Sequence, residues 1–289
     1  MPGFEAVVRA SVGRLQDQLA LQPVLDKARP MDVRSPALAR AWKELLRTLD
    51  APEEVPLHVT EGEGINGFTL GVRHPHVMLT EGAVRDLPLR EVQIILAHEL
   101  GHVLSGHVMY KSMVRLLDAG RWALLSSGIN LALTLPVLLA LLHWDRKSEL
   151  SADRAEVLAV GDPVASVAVL RRCELGQGDR ARAQLDRLAE LWKPGADAVV
   201  AVERAFSRHP PIEERIAGIQ AWAESEALAA IRAGEYPRRG TDGGETDRFE
   251  ARVGELGEGL RAQVEAAKVR GNAVLDWLQR KSGGEPEER

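Results

Sequence analysis

Residues 97–107 read AHELGHVLSGH, and their titratable side chains sit in a run that is otherwise apolar, EVQIILAHELGHVLSGHVMY. His98 and His102 are one helical turn apart on one face, so both rings can converge on a single Zn²⁺ at about 2.0–2.1 Å. Glu99 falls beside such a metal rather than on it. There it can take a proton from a zinc-bound water, whose pKa the metal lowers to about 7. Gly101 adds a side chain small enough for a neighbouring backbone to come close. His107, five residues past His102, falls off that face and reads as a partly exposed helix residue.

A zinc site of this kind needs a third protein ligand and an open position. The single cysteine, Cys173, excludes a cysteine-built zinc site and an internal disulfide framework, which leaves His, Asp and Glu as ligands. In SELSADR, residues 148–154, Glu149 and Asp153 repeat the i, i+4 spacing and so face one way. Glu149 can bind the metal while Asp153 reaches the outer nitrogen of a ligand histidine and fixes its tautomer. The competing reading is a solvated acidic face. Against it, the pair follows an uncharged stretch and has Ser151, Ala152 and Ala155 as neighbours, which suits a helix packed closely on another. In SRHPPIEERI, residues 207–216, His209 precedes two prolines that hold it extended or in a turn at a helix start. It could hydrogen-bond the oxyanion of a tetrahedral intermediate, although a His-Pro of this kind is more often only a turn.

The elements that must position these residues can be read in outline. SPALARAWKELLRTLD carries a Ser-Pro cap signal at Ser35 and Pro36 and a helical period. From Val55 to Thr80 short apolar pieces are punctuated by Gly and Pro, which predicts two or three strands in a small antiparallel sheet. Helical period returns after Pro88 and carries His98–His102 to about Leu117, and a second long helix is expected from about Ser148. Two or three helices follow within 179–233, a linker at 235–246, and a charged amphipathic helix at 247–281. The expected organisation is an N-terminal helical segment at 1–50, a core domain at 51–234, and a linker, amphipathic helix and tail at 235–289.

In bulk the chain has 289 residues, a net charge of −5 and a pI near 6.0, which argues against a general nucleic-acid binder. Its N-terminus lacks the basic start and apolar core of a secretory signal, so the expectation is a cytoplasmic protein.

Taken in order, HELGH, SELSADR and RHPPIEERI resemble the M48 metallopeptidases, a gluzincin family with membrane-bound members. The strand region VPLHVTEGEGINGFTLGVRHPHVMLTEGAVRDL is similar to theirs as well, and the resemblance covers roughly residues 50–220. It implies an α+β, mostly helical, zincin-like core with a small antiparallel sheet over the HExxH helix. It implies one zinc per chain held by His98, His102 and Glu149, with Glu99 as general base and Asp153 behind a ligand histidine. His209 becomes an oxyanion stabiliser or a cap on zinc in a latent state. A polypeptide substrate would add as a strand along Asn66–Gly71, making Asn66, Gly67 and Phe68 substrate-binding. The family's usual Asn-Ala-Phe is Asn66-Gly67-Phe68 here, and the Pro-Gly-Gly that often follows is replaced by Thr69-Leu70-Gly71.

The implied activity is that of a zinc endopeptidase. Two alternatives come from other classes: a catalytically silent chaperone or adaptor that holds unfolded segments at its sheet edge, and a closed structural zinc site. The intact His98, Glu99, His102 and Glu149 set speaks against the first, and an idle glutamate beside the metal against the second. The uncharged run WALLSSGINLALTLPVLLALLHW, residues 122–144, has the length of a membrane span. A single crossing would carry His102 and Glu149 to opposite faces, so a membrane-dipping hairpin or anchor and a buried helical hairpin are the better readings. Arg115, Arg121, Arg146 and Lys147 flank it as they would at a membrane surface.

Overall fold

The computed structural model describes residue 13 and residues 17–30, 35–115, 131–174 and 207–236, with the backbone alone at 131–138. The amphipathic helix expected at 247–281, most of the linker, and residues 122–130 of the uncharged run lie outside the described residues.

A π-helical turn at Asp17–Leu21 leads into a short helix α1 (Gln22–Leu25) and a two-residue strand β1 (Arg29–Pro30). Helix α2 (Pro36–Thr48) starts where the Ser-Pro signal places it, with the Ser35 hydroxyl accepting from the Leu38 N–H. Strands β2 (Leu57–Thr60), β3 (Gly67–Leu70) and β4 (His76–Thr80) follow. The sheet is four-stranded in the order β1-β2-β4-β3 and is mixed rather than antiparallel throughout. The departure lies in β2 and β4, which pair parallel, with Leu57 opposite Val77 and Thr60 opposite Thr80. β4 is the central strand, and its Val77, Met78 and Leu79 are fully buried, so it reads as a continuous apolar run rather than an alternating one.

Thr80 ends β4 and caps helix α3 (Glu81–Asp86) through the Ala83 N–H, while the same hydroxyl donates to the Gly64 carbonyl at 2.6 Å. One side chain thus fixes the loop that delivers β3. Helix α4 (Leu89–Leu104) lies under the sheet, and its Val92, Ile94, Ile95, Leu96 and Leu100 join Trp42, Leu45, Leu57, Val77 and Leu79 in the main core. A turn at Ser105–Gly106 leads into helix α5, described over 107–115.

Helix α6 is one continuous element of 30 residues, Leu131–Val160. The expected start near Ser148 is therefore corrected: the second half of the uncharged run belongs to the same helix, and Pro136 does not end it. α5 packs on α6 through Val114, Leu141 and Leu142. No helix among the described residues is long and apolar enough to cross a membrane. A helix at 163–174, here α7, precedes α8 (Ile212–Ala223) and α9 (Glu226–Arg232). Val157, Leu170, Ile219 and Leu228 form a second core where these meet α6.

Candidate metal centre

Helices α4 and α6 cross closely because small residues face each other. A Cβ built on Gly101 would lie 2.7 Å from Ala155 Cβ and 3.2 Å from Ala152 Cα, so glycine is what permits the approach. That contact lays His98 and His102 of α4 against Glu149 of α6.

His98 Nε2 is 3.5 Å from Glu149 Oε2, and His102 Nε2 is 3.4 Å from Glu149 Oε1. These separations are longer than charge-assisted hydrogen bonds. They match the edge of a coordination tetrahedron, about 3.3–3.4 Å for ligands 2.0–2.1 Å from one zinc. One ligand atom from each of His98, Glu99 and His102 also falls within 4.8 Å of the others. The donor set, two imidazoles and a carboxylate, is one zinc accepts, so the residues fit the metal the sequence implies.

Around His98 and Glu149 lies a second layer of side chains. His98 Nδ1 is 3.1 Å from Asp153 Oδ1 and 3.4 Å from Glu156 Oε2, so Asp153 is joined behind the imidazole by a second carboxylate one turn along α6. Arg215 of α8 grips Asp153 with Nε at 2.9 Å and with Nη2, and lies 3.6 Å from Glu149. Lys111 of α5 donates to Glu149 Oε1 and sits 2.8 Å from Asp145 Oδ1. Arg208 pairs with the other oxygen of Asp145 at 3.2 Å.

Burial alone would push the Glu149 carboxyl up, but Lys111 and His209 beside it hold it well below the ordinary carboxylate range. Burial lowers the His98 imidazole too, yet Asp153, Glu149 and Glu156 together raise it well above 6.5. For His102 burial wins, aided by Lys111, and the ring is pushed well below 6.5.

Glu99 is buried, and its Oε2 accepts a 2.8 Å hydrogen bond from the Thr69 hydroxyl of β3. Among the described residues β3 is the outer strand of the sheet. The Thr80 N–H donates to the Asn66 carbonyl, which makes Asn66–Thr80 a hydrogen-bonded antiparallel pair. Alternation then turns the backbone groups of Gly67 and Thr69 to the open edge. Gly67 sits directly on α4, where a Cβ would lie 2.5 Å from Ile95 Cγ2 and 3.2 Å from Glu99 Cγ. Phe68 points the other way, into the cluster of Leu21, Leu70 and Met78, so its side chain is on the face of the sheet away from Glu99. The Thr69 carbonyl accepts from Arg115 at 3.0 Å.

His209 is brought to the same place, with Nδ1 3.2 Å from Glu149 Oε2 and a side chain 40% exposed. Its loop is fastened to α6 by Arg146, which donates to the Ser207 carbonyl at 2.7 Å, and the Ser207 hydroxyl donates to the His209 carbonyl.

His107 departs from expectation. It is buried, its Nδ1 lies 3.0 Å from His102 Nδ1, and its ring stands edge-on to Trp144. The helical offset does not apply because Gly106 adopts φ +66° and restarts the chain as α5, which folds His107 back onto His102. Lys111, Asp145, Arg208, Arg215, Thr69 and Glu156 were not legible as site residues either, though Glu156 left a signal. Glu149, Asp153 and Glu156 fall at i, i+4 and i+7, an acidic stripe on one face of a helix.

The sequence profile of Peptidase family M48 matches residues 32–223. The plastoglobule-localized metallopeptidase 48, chloroplastic, of Arabidopsis thaliana is 28% identical over 180 residues, which cover 60% of this chain and 50% of that relative. The chain thus spans half the aligned plant protein's length. A Protease HtpX homolog of Kineococcus radiotolerans is 29% identical over 229 residues, 68% of this chain and 77% of that relative. Among solved structures, S. mikatae Ste24p superposes with a TM-score of 0.48 at 15% identity, covering 75% of this chain and 56% of Ste24p.

Proposed function

The chain belongs to peptidase family M48, and from that premise we propose that it is a zinc-dependent endopeptidase acting on extended polypeptide. The observation that carries this reading is the facing of two imidazole Nε2 atoms on the two oxygens of one buried carboxylate, with Glu99 alongside. His98, His102 and Glu149 hold the metal. A zinc ion bound there supplies Lewis-acid polarisation of a substrate carbonyl and lowers the pKa of water at the site.

The remaining work falls to the chain. Glu99, anchored through Oε2 to Thr69, keeps Oε1 for the proton of the attacking water and then passes that proton to the leaving amine. Asp153 and Glu156 stand behind His98 and hold its ring toward the site. A substrate strand adds to the open edge of β3, pairing with the outward N–H and C=O of Gly67, while Arg115 already occupies the Thr69 carbonyl. His209, half-exposed beside Glu149 Oε2, donates to the oxyanion. The run at 122–144 is proposed to bring this site to a membrane surface, which flotation of the full chain with liposomes tests: recovery with the lipid supports it and recovery in the dense fraction does not.

The deciding experiment compares wild type with Glu99→Gln and Glu149→Ala for bound zinc and for cleavage of an unfolded protein such as casein. Glu99→Gln is expected to keep about one zinc per chain while losing about 10²–10⁴-fold in rate, and Glu149→Ala to lose both. Full activity in Glu99→Gln removes the general-base assignment. Full zinc in Glu149→Ala removes the ligand assignment.

A further inference from the structure

We propose that His107 is a positioning residue for His102, acting through a directed hydrogen-bond chain, His102–His107–Ser151–Ser148, that fixes the tautomer of both rings in the folded chain before any metal binds. The inference rests on the ligand reading above in one respect, that His102 offers Nε2 to the metal.

The direction of the chain follows from its far end. The Ser151 hydroxyl donates to the Ser148 carbonyl at 3.1 Å, and a carbonyl can only accept. The carbonyl is the nearer partner, 3.1 Å against 3.3 Å for His107 Nε2, so it takes the single proton of Ser151, and toward His107 the hydroxyl oxygen acts as an acceptor. In that arrangement His107 Nε2 carries the hydrogen. A neutral imidazole has one N–H, so His107 Nδ1 is then a bare acceptor. It lies 3.0 Å from His102 Nδ1, a distance that requires one donor and one acceptor. His102 Nδ1 is thereby the donor, and His102 Nε2, facing Glu149 Oε1, keeps the lone pair a metal needs.

The surroundings hold this order in place. His102 and His107 are 3% and 7% exposed, so water is a poor substitute partner. The Gly106 turn and the T-shaped contact with Trp144 set the ring of His107. Trp144, Ser148 and Ser151 all lie on α6 with Glu149, so the chain ties a ligand on α4 to the helix that carries the third ligand. If His107 instead donated to His102, the hydrogen on His102 would move to Nε2 and the ring could not ligate.

The test reads tautomers directly, by long-range ¹⁵N–¹H correlation on the zinc-free, full-length wild-type protein. Protons on His102 Nδ1 and His107 Nε2 support the proposal, and a proton on His102 Nε2 overturns it. Zinc and cobalt affinities of two variants give a second reading. His107→Leu keeps bulk and removes the acceptor, and is expected to weaken zinc about 10–100-fold. His107→Asn presents an oxygen near the Nδ1 position and is expected to stay within about threefold of wild type. Equal losses in both variants, or none in His107→Leu, would show that the ring only fills space. Should the wild type take up no zinc, the ligand reading falls, while the tautomers of the zinc-free protein still decide the direction of the chain.

Discussion

Replacing Gly101 with alanine tests whether the close crossing of α4 and α6 sets the metal geometry. The added Cβ would sit 2.7 Å from Ala155 Cβ and 3.2 Å from Ala152 Cα, where ordinary contact begins near 3.4 Å. Neither obstacle is the end of a flexible side chain, so the helices must part by about 0.7 Å at this level. Overpacking of this kind costs about 1–3 kcal/mol, and the better helix propensity of alanine returns about 0.8–1.0 kcal/mol. The net loss of stability is thus about 0–2 kcal/mol, and the variant folds. The metal is less forgiving, because His98 and His102 ride on one helix and Glu149 on the other, and ligand distances tolerate about 0.2 Å. Zinc affinity is expected to fall at least about tenfold, equivalent to ~1.4 kcal/mol, as measured by competition with a chromophoric chelator alongside thermal unfolding. Ala155→Gly in the same chain removes the nearer obstacle and should recover most of the loss. A zinc affinity in Gly101→Ala within about threefold of wild type would refute the reasoning, as would a double variant no better than the single.

Three further outcomes follow from the same geometry. Thr69→Val keeps shape but removes the hydroxyl on Glu99, and a hydrogen bond to a charged group is worth about 1.5–3 kcal/mol. Steady-state kinetics should show kcat/KM down about 10–150-fold with zinc content unchanged, and unchanged kinetics would remove Thr69 from the site. Arg215→Ala strips a buried, bidentate partner from Asp153 and is expected to cost about 3–5 kcal/mol in urea unfolding; a loss below about 1 kcal/mol would mean water replaces the guanidinium. His58 and His76, 3.0 Å apart on β2 and β4, are both lowered from 6.5, first by burial and then by a neighbouring histidine. The unfolded chain therefore binds more protons just below pH 6.5, and the pair subtracts stability as pH falls through that range. His76→Gln should flatten the decline in Tm between about pH 7 and 5, and a decline as steep as wild type's would show that the pair does not titrate on unfolding.

What could be read from sequence was what repeats locally. His98 and His102, and again Glu149 and Asp153, announce themselves by one-turn spacing, and the structure sets the two pairs against each other. The small residues Gly101, Ala152 and Ala155 told of a close helix crossing for the same reason. What escaped was what depends on distant segments meeting. Lys111 reaches Glu149 across 38 positions and Arg215 reaches Asp153 across 62, and no periodicity links them. His107 was hidden by a glycine with positive φ, which breaks the helical count within five residues of His102. The mixed pairing of the sheet is not legible in sequence because an apolar strand buried on both faces looks alike in parallel and antiparallel company, and only β4's insertion between β2 and β3 decides which.

The charges around the site bear on how the fold finds one arrangement. Asp145, Glu149, Asp153 and Glu156 are all buried along α6, and a buried carboxylate without a partner is far more costly than any contact it could replace. Their partners come from three other places: Lys111 from α5, His98 from α4, and Arg208 and Arg215 from the segment that also carries His209. A docking of α6 rotated about its axis to turn another face inward would move each carboxylate away from its cation and leave the buried cations unpaired. The penalty acts at every pair at once, so these ion pairs select which face of α6 turns inward even where their net contribution to stability is small. The same orientation brings Glu149 to the two histidines. The residues that hold α6 in place and the residue that would hold the metal are thus set by one choice, which is why the acidic face of this helix lies inside the protein and not in water.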